Sequence, residues 1–141
     1  MPTDAVIEMP LPANAFSRFN RGLALSIAIA VVGLLFYLGS KPIAVGLFLP
    51  PWDKLAHLAV FSAVTGLLWI ALGGRLPLSI IGLMACIGAL DEWHQGSLPG
   101  RSADYTDWLT DVAAAVLVIF VLHVWRKQKA PPEQGSRQHI F

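Results

Sequence analysis

The residues able to do chemistry fall in three short segments. DKLAH carries Asp53, Lys54 and His57; DEWHQ carries Asp91, Glu92, His94 and Gln95; DYTDWLTD carries Asp104, Asp107 and Asp111. On helices, each segment would gather its polar groups on one face. Asp53 and His57 are four apart, Asp91 and Gln95 four, Glu92 and Gln95 three, and Asp107 and Asp111 four. Glu92 and His57 could serve as acid and base. Asp53, His57, Glu92 and Asp111 could hold a divalent metal through oxygen and imidazole donors. There is no compact motif such as H-E-x-x-H, so such ligands would have to come from separate segments. His94 reads as a surface residue. Between the second and third segments, Pro99-Gly100 signals a tight turn that would fold Arg101 back over the acids. Arg101 could pair there with Glu92 or Asp107, or hold the phosphate or carboxylate of a ligand in bidentate fashion.

The elements that position these residues are apolar runs. Of the 141 residues, 55% are hydrophobic and only 13% charged, with a mean hydropathy of +0.61. An ordinary soluble domain carries about 25% charged residues. A spanning helix needs roughly 20 mostly apolar residues. Four runs reach that length: Gly22–Ser40, Lys54–Leu72, Pro77–Gln95 and Asp107–Trp125. The reading is an all-α polytopic membrane protein of four transmembrane helices with an outward-facing polar pocket. Residues 1–21 are expected to form a flexible or interfacial segment, 22–125 the membrane domain, and 126–141 a basic, disordered cytoplasmic tail. Arg18 and Arg21 precede the first run as in a signal peptide, but the run exceeds a typical signal core and lacks a small-x-small cleavage site. A lone cysteine, Cys86, can form neither an internal disulfide nor a cysteine-based zinc site. No nucleic-acid partner is expected, and the oligomeric state is left open.

Basic residues favour the cytoplasmic side. With the N-terminus inside, the inner side holds Arg18, Arg21, Arg75, Arg126, Lys127, Lys129 and Arg137, and the outer side Lys41, Lys54 and Arg101. Both termini are then cytoplasmic. Counted from that side, about 15 residues, or roughly 22 Å of helix, separate Leu72 from Leu58. The stretches Pro77–Leu90 and Trp125–Val112 give about 14 residues each, or roughly 21 Å. The hydrocarbon core is about 30 Å thick. His57, Asp91 with Glu92, and Asp111 are therefore expected at one depth, below the outer surface and around a shared pocket. The first run has no charge between Gly22 and Ser40 and is expected to cover the bundle without contributing chemistry. Trp52, Trp93, Trp108 and Tyr105 read as an interfacial aromatic belt, or else as stacking surfaces for a sugar or a ligand cation.

A plain structural alternative competes with the functional pocket. Lys54, Arg101 and His57 could simply neutralise the acids and lock the helices together. Against it stands the balance of charge: Asp53, Asp91, Glu92, Asp104, Asp107 and Asp111 outnumber the nearby Lys54 and Arg101. Ionisable groups inside a bilayer usually pair, face a cavity or mark function.

DKLAH followed by Phe61, then DEWHQ, then PGRS, then an Asp a few residues on, resembles the VanZ-like family of small bacterial membrane proteins. The resemblance runs from about Asp53 to about Val118 and singles out Asp53, Lys54, His57, Asp91, Glu92, Gln95, Pro99, Gly100, Arg101 and Asp107. The family pattern commonly continues with Asn and then Gly; here those places hold Asp111 and Ala114. The founding member of the family is associated with low-level resistance to the glycopeptide teicoplanin. The resemblance implies a cell-envelope setting in the bacterial inner membrane, and the outward pocket with Arg101 and its aromatic rim makes membrane lipids and a lipid-linked envelope precursor the expected partners. Two functions follow as expectations. One is the binding or handling of a lipid-linked or lipophilic ligand at the outer leaflet. The other is a membrane-embedded acid/base or metal-assisted enzyme acting on an envelope lipid. A proton or ion pathway fits less well, because the cytoplasmic halves of the runs carry no charge.

Overall fold

The computed structural model describes residues 13–42, 46 and 51–129. Four helices make up the described chain: α1 (Ala13–Gly39), α2 (Trp52–Ala71), α3 (Pro77–Gly96) and α4 (Tyr105–Lys129). There is no strand among the described residues. Prolines set several of the boundaries. Pro2, Pro10 and Pro12 all precede α1, Pro51 precedes α2, and Pro77 opens α3, where its missing N–H costs nothing. Asp104 caps α4 by accepting the Thr106 N–H at 2.7 Å.

Two boundaries differ from the sequence reading. α1 continues back through Arg21 and Arg18 to Ala13, so the expected flexible or interfacial segment is helical over residues 13–21. Nothing in FSRFNRG interrupts a helix, and the basic residues simply extend it beyond the apolar run. α4 likewise runs through Arg126 to Lys129, into the segment expected to be a disordered tail. Residues 1–12 and 130–141 lie outside the described residues.

Three helical stretches are long and apolar enough to cross a membrane: Ser17–Gly39, Trp52–Ala71 and Tyr105–Gln128. α3 is as long as α2, but Asp91, Glu92, His94 and Gln95 crowd its last turns and dilute its apolar character. The outer surface bears large apolar side chains, including Ile29, Leu78, Leu83, Leu117 and Phe120. Such a surface suits lipid rather than water.

α2 and α4 form the most extensive pair, with α1 against α2 and α3 against α4. Their interior is built from Phe61, Val64 and Leu68 of α2, Ile80 and Met84 of α3, and Ala114, Ala115 and Ile119 of α4. Small residues bring the backbones close, as in other helix pairs that pack without a hydrophobic drive from water. Gly88 is the tightest case among the glycines within the helices. A Cβ there would lie 2.8 Å from Asp111 Oδ2 and 3.2 Å from Trp108 Cδ1.

The helices alternate in direction, so the two ends of the bundle differ in chemistry. At one end Arg21 Nε donates to Ala71 O (2.9 Å) and Arg126 Nη1 to Gly74 O (2.8 Å). These guanidiniums serve carbonyls at and just beyond the α2 C-terminus, where helix carbonyls lack partners and the dipole is negative. The acids gather at the opposite end.

Candidate functional site

The acidic end is one connected network. Lys54 of α2 reaches across to α4, where its Nζ donates to Asp107 Oδ1 (2.5 Å), Thr106 Oγ1 (2.6 Å) and Asp104 Oδ2 (3.3 Å). One turn deeper, His57 Nδ1 lies 3.0 Å from Asp111 Oδ1. Its Nε2 is 4.0 Å from Asp107 Oδ2. On α3, Gln95 Nε2 donates to Asp91 Oδ2 (2.8 Å). Glu92 Oε2 accepts the backbone N–H of Asp104 (2.6 Å), which ties the α3 C-terminus to the start of α4.

Helical spacing accounts for this assembly. The pairing runs across helices: Lys54 meets Asp107, and His57 meets Asp111 one turn further in on both helices. Asp91 and Asp111 are among the most completely buried side chains of the molecule, at 1% and 0% exposure. Glu92, Gln95 and Asp107 are buried as well.

Lys54 does what the structural alternative asks: it clamps α2 to α4 through two carboxylates. It does not satisfy the rest. Asp91 Oδ1, Glu92 Oε1 and Asp111 Oδ2 are buried with no hydrogen-bond partner among the described residues. A buried oxygen of this kind normally has a partner.

Arg101 departs from expectation. Neither Glu92 nor Asp107 is its partner. Its Nη2 donates to Gln95 Oε1 (2.7 Å) and its Nη1 to Gly39 O (2.9 Å). The turn before it forms as expected, with Gly100 in the left-handed region at φ 77°. Arg101 is thereby fixed between the C-terminus of α1 and the Asp91–Gln95 pair. α1 was expected to contribute only cover, yet its last carbonyl anchors this guanidinium. No side-chain pattern could have announced a backbone acceptor; only the open carbonyls of any helix end hinted at it.

A cavity of about 570 Å³ lies beside the network. One wall is apolar: Val31, Leu34, Leu35 and Leu38 of α1 and Val60 of α2. The other is polar: Asp53, His57, Asp91, Gln95, Arg101, Asp104 and Asp107. Asp53 borders the cavity, and its Oδ1 accepts the Lys54 backbone N–H (2.8 Å). The site residues Lys54, Glu92 and Asp111 sit behind the cavity wall and support those that line it.

Asp104 is the site member that the spacing argument did not single out, since it stands outside the helical repeat. Its signal was the Asp-x-Thr cap at the head of an apolar run. The Thr106 hydroxyl and backbone N–H hold the Asp104 carboxyl below the usual carboxylate range, with Lys54 adding to the effect. His94 tilts against Phe36 of α1, ring centroids 5.4 Å apart, rather than standing free at the surface. Trp52, Trp93 and Tyr105 are exposed at this end, while Trp108 turns inward and donates to Ala85 O (3.0 Å).

One group of three could hold a metal ion. His57, Asp91 and Glu92 each offer a donor atom, all within 4.8 Å of one another. Asp53 and Asp111, grouped with His57 and Glu92 in the sequence reading, are not in this triad; Asp111 instead orients His57 from behind.

No curated protein and no solved structure matches the chain. The sequence does match the VanZ/LLP1 family over residues 6–126, a stretch that takes in all of α1, α2 and α3 and most of α4. That is well beyond the Asp53–Val118 segment whose motifs carry the resemblance, and the chain belongs to the VanZ/LLP1 family.

Proposed function

We propose that this protein is a four-span protein of the bacterial inner membrane that binds a phosphorylated or otherwise lipid-linked ligand at the outer leaflet. The carrying observation is the two-sided cavity, with an apolar wall from α1 and α2 facing a polar wall built around Asp91, Gln95 and Arg101. An acyl or prenyl chain suits the first and a head group the second. The volume falls within the range of ligand pockets, about 300–1,000 Å³. Arg101 reaches the cavity with two of its N–H groups already committed, which leaves the others for an anionic oxygen.

α3 is the fourth span in this reading. Its exposed Leu78, Leu83 and Leu90 face lipid, and its polar last turns face the bundle. Arg18, Arg21, Arg75 and Arg126 belong to the cytoplasmic end, in keeping with the preference of basic residues for that side. The cavity then opens outward. A part in teicoplanin resistance is supported by the family resemblance and by that drug's acyl chain. Deleting the gene should then lower the teicoplanin concentration that stops growth, and an unchanged value removes that part of the proposal.

Thermal unfolding in detergent tests the binding itself. A ligand that binds only the folded state raises the melting temperature with its concentration. Added polyprenyl phosphate should stabilise the wild type and not Arg101→Ala. Equal behaviour of the two, or no rise in either, would count against this reading.

The acid/base reading has one observation in its favour: Asp111 holds the His57 ring from behind, as an orienting carboxylate holds a general base. Hydrolysis of an envelope lipid by the wild type but not by His57→Ala would move the assignment to an enzyme.

A further inference from the structure

Each member of the His57–Asp91–Glu92 triad is held by one outer contact and has one donor atom left over. Gln95 Nε2 occupies Asp91 Oδ2, leaving Oδ1. The Asp104 N–H occupies Glu92 Oε2, leaving Oε1. Asp111 Oδ1 sits on His57 Nδ1. With Asp111 ionised and the ring neutral, Nδ1–H donates to Asp111 and Nε2 keeps its lone pair for a metal. Metal ligands are characteristically held in this way, the histidine through its other nitrogen and the carboxylates through an outer hydrogen bond.

Burial supplies a second and independent observation. Asp91 is 1% exposed and Glu92 7%, and the spare oxygen of each has no partner among the described residues. Two adjacent buried carboxylates keep their charge only where positive charge is close by. The nearby cations point elsewhere: Lys54 to Asp104 and Asp107, Arg101 to Gln95 and Gly39.

We propose that His57 Nε2, Asp91 Oδ1 and Glu92 Oε1 bind a divalent first-row transition metal ion, with Zn2+ and Mn2+ the favoured occupants. One imidazole and two carboxylates suit these ions better than Ca2+ or Mg2+, which prefer all-oxygen shells. Bonds of about 2.0–2.2 Å place neighbouring donors roughly 3–3.5 Å apart, so the triad draws in by about 1 Å on loading. His57 and Asp91 line the cavity, so the remaining coordination positions face it. Asp107 Oδ2, 4.0 Å from Nε2, stands close enough to hydrogen-bond a water on the ion. The metal site is independent of the lipid reading. If both hold, the ion turns an acidic wall into one that receives a phosphate.

The full chain, purified in detergent without added lipid and stripped with a chelator, provides the test. After dialysis against Zn2+, elemental analysis should find one ion per chain. His57→Ala, Asp91→Asn and Glu92→Gln should each weaken binding by at least tenfold, whereas Gly82→Ala, on the same helix as the two acids with nothing within 4 Å, should not. Pulsed electron paramagnetic resonance of the Mn2+-loaded wild type should show one directly bound imidazole nitrogen, a result that needs no variant to fold. Substoichiometric metal, binding indifferent to all three substitutions, or a Mn2+ spectrum without nitrogen coupling would each overturn the site. Since lipid is absent, failure here leaves the cavity's ligand to be judged separately.

Discussion

At the residue scale, Asp111 is the most informative position. It is fully buried, it orients His57, and its second oxygen has no partner among the described residues. The family pattern commonly places Asn there, and an amide oxygen can accept the same Nδ1–H. Asp111→Asn should therefore keep the fold and membrane level. Asp111→Leu should cost about 1–3 kcal/mol, the penalty for leaving a buried donor unpaired, as measured by unfolding in detergent. Asp104 makes a different prediction. Its carboxyl titrates below the ordinary range because Thr106 donates to it twice. A depressed folded-state value contributes stability that is present above the unfolded value and lost as pH falls through the folded one. Thr106→Val should raise the Asp104 midpoint, read by carbon NMR of the labelled carboxyl, and so move the loss of this cap to higher pH. An unmoved midpoint would show that the hydroxyl does not set it and leave the backbone N–H and Lys54.

At the scale of elements, α3 and α4 approach each other closely where Gly88 faces Asp111 and Trp108. Gly88 permits that approach, since a Cβ there would press on Asp111 and Trp108. Gly88→Ala should destabilise by about 1–3 kcal/mol, the usual range for overpacking. Gly82→Ala, on the same helix with nothing within 4 Å, should be neutral or slightly stabilising. Paired melting curves would show the contrast. Helical spacing made much of this network legible. Asp53 with His57, Asp91 with Gln95, and Asp107 with Asp111 were aligned by i, i+4 spacing, and apolar run length set their common depth. Cross-helix partners were not legible in the same way. Lys54 could have met any of six acids, and the choice of Asp104 and Asp107 depends on how α2 and α4 align. Arg101's bond to Gly39 O was beyond reach, because a backbone acceptor leaves no mark in a pattern of side chains.

At the scale of the whole molecule, the two chemically different ends make an orientation testable. In a Cys86→Ala background, Ser102→Cys should react with a membrane-impermeant maleimide on intact cells, and Arg75→Cys only after permeabilisation. The two positions flank α3, so opposite accessibility would place α3 across the membrane as the fourth span. Labelling of both from one side would not. The apolar character of the bundle was plain from composition, while the weaker case of α3 has a clear cause: its polar last turns lower its hydropathy because they build the site.

The central claim is that the cavity between α1 and the Asp91–Gln95–Arg101 wall holds a lipid-like ligand. Native mass spectrometry of the protein, purified from its own membrane and released gently from detergent, tests this most directly. An added mass matching a phosphorylated or polyprenyl-linked lipid is expected, and it should be lost in Arg101→Ala. Bare protein under conditions that preserve lipid adducts on a control membrane protein, or an adduct retained by Arg101→Ala, would contradict it.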